Sequence, residues 1–173
     1  MDLIDMMLKR RSVRRYKDEE IKKEDLDKIL KAALLAPTSR NRKPCNFLVV
    51  ENKKTLEKLS KSKETGAEML ANCSKAIVVV ANTMISDTWI EDSSIALTYM
   101  HLMASSIDVG SCWVQIHLRK NSAGEDTEKV VKEIVGIDDY FRIVGILALG
   151  IPDGEVKPHT LEDLDKSKIH FLV

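Results

Sequence analysis

A chain of 173 residues, 44% of them hydrophobic, is sized for one compact domain with a single core and is globular rather than disordered. The 27 Lys and Arg balance the 27 Asp and Glu, so the formal net charge is zero and a whole-protein polyelectrolyte role is excluded. Three separated cysteines, Cys45, Cys73 and Cys112, form no Cys-x-x-Cys pair, and an odd count without a secretion-type start fits a reduced, cytoplasmic protein.

Asp2 and Asp5 interrupt the first apolar stretch, so it does not read as a secretion signal. The apolar runs all fall far short of the ~20 residues that a membrane span needs. Residues 2–9 place Leu3, Met6 and Met7 for a short amphipathic helix. Residues 23–36 carry Leu26, Ile29, Leu30, Ala33 and Leu34 at helical spacing, which predicts a second helix that Pro37 stops. PTSRNRKP then reads as a polar loop between two prolines. NFLVVE (46–51) predicts a strand and TLEKLS (55–60) the start of a helix, with Gly66 breaking the pattern before AEMLANCS. AIVVVA (76–81) is short, continuous and β-branched, as a buried strand is.

TWIEDSSIALTYMHLMASSI (88–107) is the longest helical stretch. Thr88 and Glu91 have capping-box spacing. Ile95, Leu97, Tyr99, Met100, Leu102, Met103 and Ile107 make the later part apolar on nearly every face, which predicts a buried core helix. No Lys or Arg occurs from residue 76 to residue 118. SCWVQI (111–116) predicts a strand entered through Gly110. Ser122 and Glu125 repeat the capping-box spacing before DTEKVVKEIVG, a helix that Gly136 ends. RIVGILALG (142–150) predicts a further buried strand, and after Pro152 the tail is polar until IHFLV (169–173). With no repeat and no linker, residues 1–173 are expected to form one domain. Helices alternating with about four strands fit both α/β and α+β architectures.

KRRSVRRYK (9–17) holds six basic residues in nine. A nucleic-acid patch would need many distributed phosphate contacts, and acids follow at once in DEE. A solvated helix end is the plain structural reading, because cations complement the C-terminal dipole. A clamp on one small phosphate is the third reading: Arg10, Arg11, Ser12 and Arg14 would combine planar guanidinium forks with a hydroxyl.

RRSVRRY, APTSRNRKPCNF and VGSCWVQ, in this order and spacing, resemble the FMN-dependent nitroreductase family, and the resemblance runs from residue 2 to about residue 160. It implies an α+β fold: a mainly antiparallel central sheet wrapped by helices, in an intertwined homodimer with FMN at the interface. It also implies that NADH or NADPH reduces the flavin, which then reduces nitro compounds, quinones or related acceptors. By position, Arg10, Arg11, Ser12 and Arg14 match the segment that binds the FMN phosphate, ribityl chain and pyrimidine edge. Pro37, Thr38, Ser39 and Asn41 match the loop that reaches the partner subunit's FMN. Trp113, Val114 and Gln115 match the strand segment against the ring, and Lys157 and His159 fall near a late phosphate-binding pair. The sequence departs from the family at Lys43, where Gln is common, at Cys45, where Trp is common, at Asp108-Val109 in place of Gly-Leu, and at His159 in place of Arg. The short stretch around 82–93 implies that the lid helices of larger members are missing. Flavin hydride chemistry needs neither a protein nucleophile nor a metal.

Other residues read more plainly. Cys112 beside Trp113 is either a redox thiol or a packing residue, and cysteine's burial tendency favours packing. His101 and His117 lack partners at metal-ligand spacing, and His101 fits a satisfied core or interface group. Trp89 could cap a flavin cavity or simply pack. Glu91 and Asp92 are expected on an exposed first turn. A flavin-binding module without efficient turnover is the alternative to an enzyme, and neither nucleic acid nor membrane is an expected partner.

Overall fold

The computed structural model describes residues 2–172. Four strands make its centre: β1 (Cys45–Val50), β2 (Lys75–Asn82), β3 (Gly110–Gln115) and β4 (Phe141–Gly150). They lie in the order β1-β2-β4-β3, and all three pairings are antiparallel. The α+β expectation therefore holds, and each predicted strand lies within a residue of its place. β2 and β4 are central and covered on both faces, which is why their sequences are continuous apolar runs rather than alternating ones.

Helices α1 (Leu3–Lys9), α2 (Lys23–Leu35), α3 (Lys53–Ser60), α4 (Trp89–Ser106) and α5 (Thr127–Val135) surround the sheet. α2 and α4 cover the face carrying Ile77, Val79, Leu147 and Leu149. α3 and α5 cover the other, with Leu56, Leu59 and Val131 against Val78, Val80, Val114 and Ile146. The two layers are reconciled by a bulge in β4: Val79 faces Gly145 and Val80 faces Ile143, leaving Val144 unmatched. Ile143 and Ile146 thus both reach the α3/α5 layer, while Val144 and Leu147 reach the α4 layer. Gly145 at the bulge leaves room for the Trp113 indole, whose Nε1 would stand 2.6 Å from an added Cβ.

Asp2 caps α1 in a reciprocal box with Asp5, and Gly136 ends α5 with φ at 70°. Two predicted capping boxes do not form. The Thr88 hydroxyl bonds the Asp92 carboxylate instead of the α4 backbone. α5 starts within a residue of its predicted place but is capped by Asp126, while Glu125 closes a turn with Asn121. Leu34 is exposed rather than core, together with Leu35, at the end of α2. α4 is buried along only one stripe: Ala96, Leu97, Met100 and Ala104 are covered, whereas Tyr99 is exposed and Ile95, Leu102 and Met103 are half-covered.

Candidate functional site

The basic run is not a helix end. α1 stops at Lys9, and from Arg10 the chain runs extended beside β3. The Val13 amide donates to the Ser111 carbonyl at 2.9 Å, and Ser12 bridges Ser111 in parallel. Tyr16 anchors the far end: its ring lies in the core, its hydroxyl donates to the Val13 carbonyl, and Gly150 leaves space for it. Burial drives the Tyr16 phenol far above its ordinary pKa, so the hydroxyl stays a donor.

Three arginines of this segment are oriented without losing their charge. Arg10 Nη1 lies 3.1 Å from His101 Nε2, Arg11 Nη1 donates to the Lys157 carbonyl at 2.5 Å, and Arg14 Nη1 leans toward the Ser12 carbonyl at 3.5 Å. Each acceptor is neutral, and none of the three forms an ion pair among the described residues. Their neighbour Lys9 differs, being paired with Asp108 at 2.6 Å. Arg11 and Lys157 help line a groove of about 940 Å³, whose floor includes Gly110 and Ser111. Arg14 points into a separate hollow of about 590 Å³ beside Tyr16. The His159 side chain stays outside both, near Asp163, while its backbone N–H donates to the Leu8 carbonyl.

β3 is an edge strand, and its residues alternate between β4 and the free side. Ser111 uses its carbonyl on the free side, and by alternation Trp113 and Gln115 present their backbone groups there too. Their side chains share the α4 face, where Trp113 Nε1 donates to Gln115 Oε1 at 3.0 Å. Val114 is turned the other way into the core, so its side chain cannot meet a ligand on that edge.

The loop from Pro37 to Asn41 sits elsewhere. Arg40, Asn41 and Lys43 adopt left-handed backbone angles, which are uncommon for non-glycine residues and must be held by their surroundings. Thr38 accepts from the Lys43 amide at 3.0 Å, and the Ser39 amide donates to Asp92 Oδ1 at 2.9 Å. Asp92 is buried, contrary to expectation, and its other oxygen accepts from Ser86 and Thr88. Asp92 and His101 are nine residues apart on α4, about 13 Å along its axis, so loop and arginine segment occupy different ends of one helix.

The sequence pattern of the Nitroreductase family matches residues 7–68 and 60–151, most of the chain. The chain belongs to the nitroreductase family. An FMN-dependent nitroreductase from Clostridium difficile R20291 is 41% identical and superposes with a TM-score of 0.94, over 97% of this chain and 98% of that one. An Archaeoglobus fulgidus protein, provisionally named NADH dehydrogenase/NAD(P)H nitroreductase, is 35% identical over 98% of this chain and 97% of its own length. A Bacteroides fragilis nitroreductase with bound FMN shares the fold, at 20% identity and a TM-score of 0.79 over the whole of both chains.

Within this nitroreductase-family chain, a short turn joins β2 to α4 between Asn82 and Trp89. Trp89 packs: Arg142 lies over its ring at 4.9 Å and His117 meets it edge-on at 5.1 Å. Arg142 is fixed in turn by the buried Glu128 at 2.6 Å. Burial would raise the Glu128 pKa, but hydrogen bonds from Arg142 and the Ile143 amide outweigh it and hold the carboxyl low. Burial raises all three thiols, Cys73 to about 11, so they stay protonated and read as packing residues. Sequence reasoning missed Asp92 and the role of His101. A signal for Asp92 was present: it shares the stripe of Ala96 and Met100, at i+4 and i+8.

Proposed function

We propose that this chain is an FMN-dependent oxidoreductase that draws on NADH or NADPH and reduces nitro, quinone or related acceptors. The observation that carries the reading is the set of three arginines held by neutral acceptors along one extended segment, none of them in an ion pair among the described residues, with Arg11 lining a ligand-sized groove. This donor set fits a phosphate monoester. Arg10, Arg11 and Ser12 would bind the phosphate with Lys157 beside them. Arg14 would face the pyrimidine edge, its charge fixed at any working pH. The free backbone edge at Trp113 and Gln115 would take the ring's polar rim. His159 is the residue of the proposed set whose side chain would have to turn to take part. The chemistry FMN supplies when bound is hydride transfer at N5, accepted from the nicotinamide and passed on in a separate half-reaction, which is the ping-pong form.

The same reading makes each site the work of two chains. Pro37, Thr38, Ser39 and Asn41 sit about 13 Å along α4 from their own arginines and would serve a second copy. Exposed apolar surface supports this: Leu3 and Ile4 on α1, Leu34 and Leu35 on α2 and Tyr99 on α4 are uncovered. The apolar end is exposed, with Phe171 at 84% and Leu172 at 100%, so it finds no cover on its own domain. Val173 lies outside the described residues. Covering this surface fits an obligate interface on the order of 2,000 Å² or more.

Purified protein is expected to be yellow and to release FMN on denaturation. Truncation after Lys168 is expected to weaken dimerisation and FMN binding together, read by sedimentation and flavin titration. Protein that stays colourless and takes up no added FMN would refute the cofactor. A truncated monomer with full FMN affinity would refute the shared site, and intersecting rather than parallel double-reciprocal plots the ping-pong form.

A further inference from the structure

A guanidinium carries only N–H donors, so where Arg10 Nη1 meets His101 Nε2 the imidazole nitrogen must accept. The ring's proton then sits on Nδ1, which lies 2.5 Å from Ser111 Oγ and donates to it. His101 and Ser111 are both buried, on α4 and β3, while Arg10 is half-buried on the segment beside them. The imidazole therefore ties three separate parts of the chain in one directional relay, from Arg10 through His101 to Ser111.

We propose that His101 is a positioning residue for anion binding, a neutral Nδ1-protonated imidazole that aims the Arg10 guanidinium without cancelling its charge. The proposal rests on the FMN reading above. A carboxylate in its place would also orient Arg10, but the resulting ion pair would neutralise the charge a phosphate needs, as Asp108 does for Lys9. An apolar residue would leave the long arginine chain free to sample its rotamers, an entropy that binding must then remove. Imidazole keeps the direction and the charge together. Burial and the adjacent guanidinium both resist its protonation, so the ring stays neutral in ordinary conditions.

Two measurements on the 173-residue chain test this. Nitrogen-15 NMR of the histidines should find His101 protonated at Nδ1 alone at neutral pH, whether or not FMN is present. FMN titration should find that His101→Met weakens binding roughly tenfold, the order expected for losing a hydrogen bond to a charged group. His101→Gln, which keeps an acceptor near the Nε2 position, should recover part of the loss. In an Arg10→Ala background, His101→Met should change FMN affinity no further, an outcome that loss of packing alone would not give. Additive losses in the double variant, or a ring protonated at Nε2 or at both nitrogens, would overturn the inference while leaving the cofactor assignment intact. Wild-type chain that binds no FMN would overturn the functional reading, and the inference with it.

Discussion

The segment from Lys9 to Lys17 and the loop from Ser39 to Lys43 are alike in composition, basic and polar with few apolar residues, yet they are held by different physics. The first owns two apolar anchors, Val13 and Tyr16, and with them it lies extended against the sheet edge through backbone hydrogen bonds. The second has no buried residue, so it closes on itself through left-handed backbone angles and hangs from one buried carboxylate. Positive charge specified neither geometry; the anchors did.

Removing the carboxylate should break the second region most. Asp92→Ala removes three hydrogen bonds to one carboxylate, from the Ser39 amide and the Ser86 and Thr88 hydroxyls; at ~1.5–3 kcal/mol each, partly offset by the Ser86–Thr88 bond that remains, a destabilisation of about 4 kcal/mol is expected in urea unfolding. The His101 NMR signals should not move, since the arginine segment does not depend on that loop. Asp92→Asn, which keeps an acceptor for Ser39, should cost clearly less.

Acid should instead act on the first region. The unfolded chain protonates a histidine below about pH 6.5, but folded His101, desolvated and beside Arg10, does so only near pH 4. Stability should therefore fall as the pH drops from 6.5 to 4 and level off below, by roughly 3 kcal/mol in all. His101→Gln should lose that part of the acid sensitivity, while the loss from protonating Glu128, whose pKa lies below the ordinary 4.5, remains. Equal acid sensitivity in the two proteins would contradict the neutral buried ring.

Next in size are the arginines. Arg10→Ala and Arg11→Ala should each weaken FMN binding by ~1.5–3 kcal/mol, one to two decades, with little change in stability. Smallest is the surface pair Arg42–Asp87 at 3.1 Å: Arg42→Ala should cost no more than about 1 kcal/mol of stability and less at high salt.

Periodicity made the strands and the ends of α2 and α5 legible, because continuous β-branched runs, Pro37 and Gly136 act through local backbone physics. The family motifs made the arginine segment legible as a site. Asp92 was misplaced because adjacent acids on a first turn are usually solvated, and only the fold brings Ser39 back to them across 53 residues. The relay from Arg10 to His101 spans 91 residues and left no local trace. The capping boxes failed for a local reason: their spacing was right, but Thr88 and Glu125 bond Asp92 and Asn121, each four residues away.

α4 also limits how this chain can vary in length. Asp92 and His101 stand nine residues apart, about 900° of helical turn, so they lie on opposite borders of the buried stripe. Adding or deleting one residue between them would swing one border by about 100° and slide it ~1.5 Å. The loop and the arginine would then compete for register, and one anchor would be lost. Exposed Thr98, within that interval, can change in kind without consequence for either. The number of residues there is under stricter control than the identity of the exposed ones.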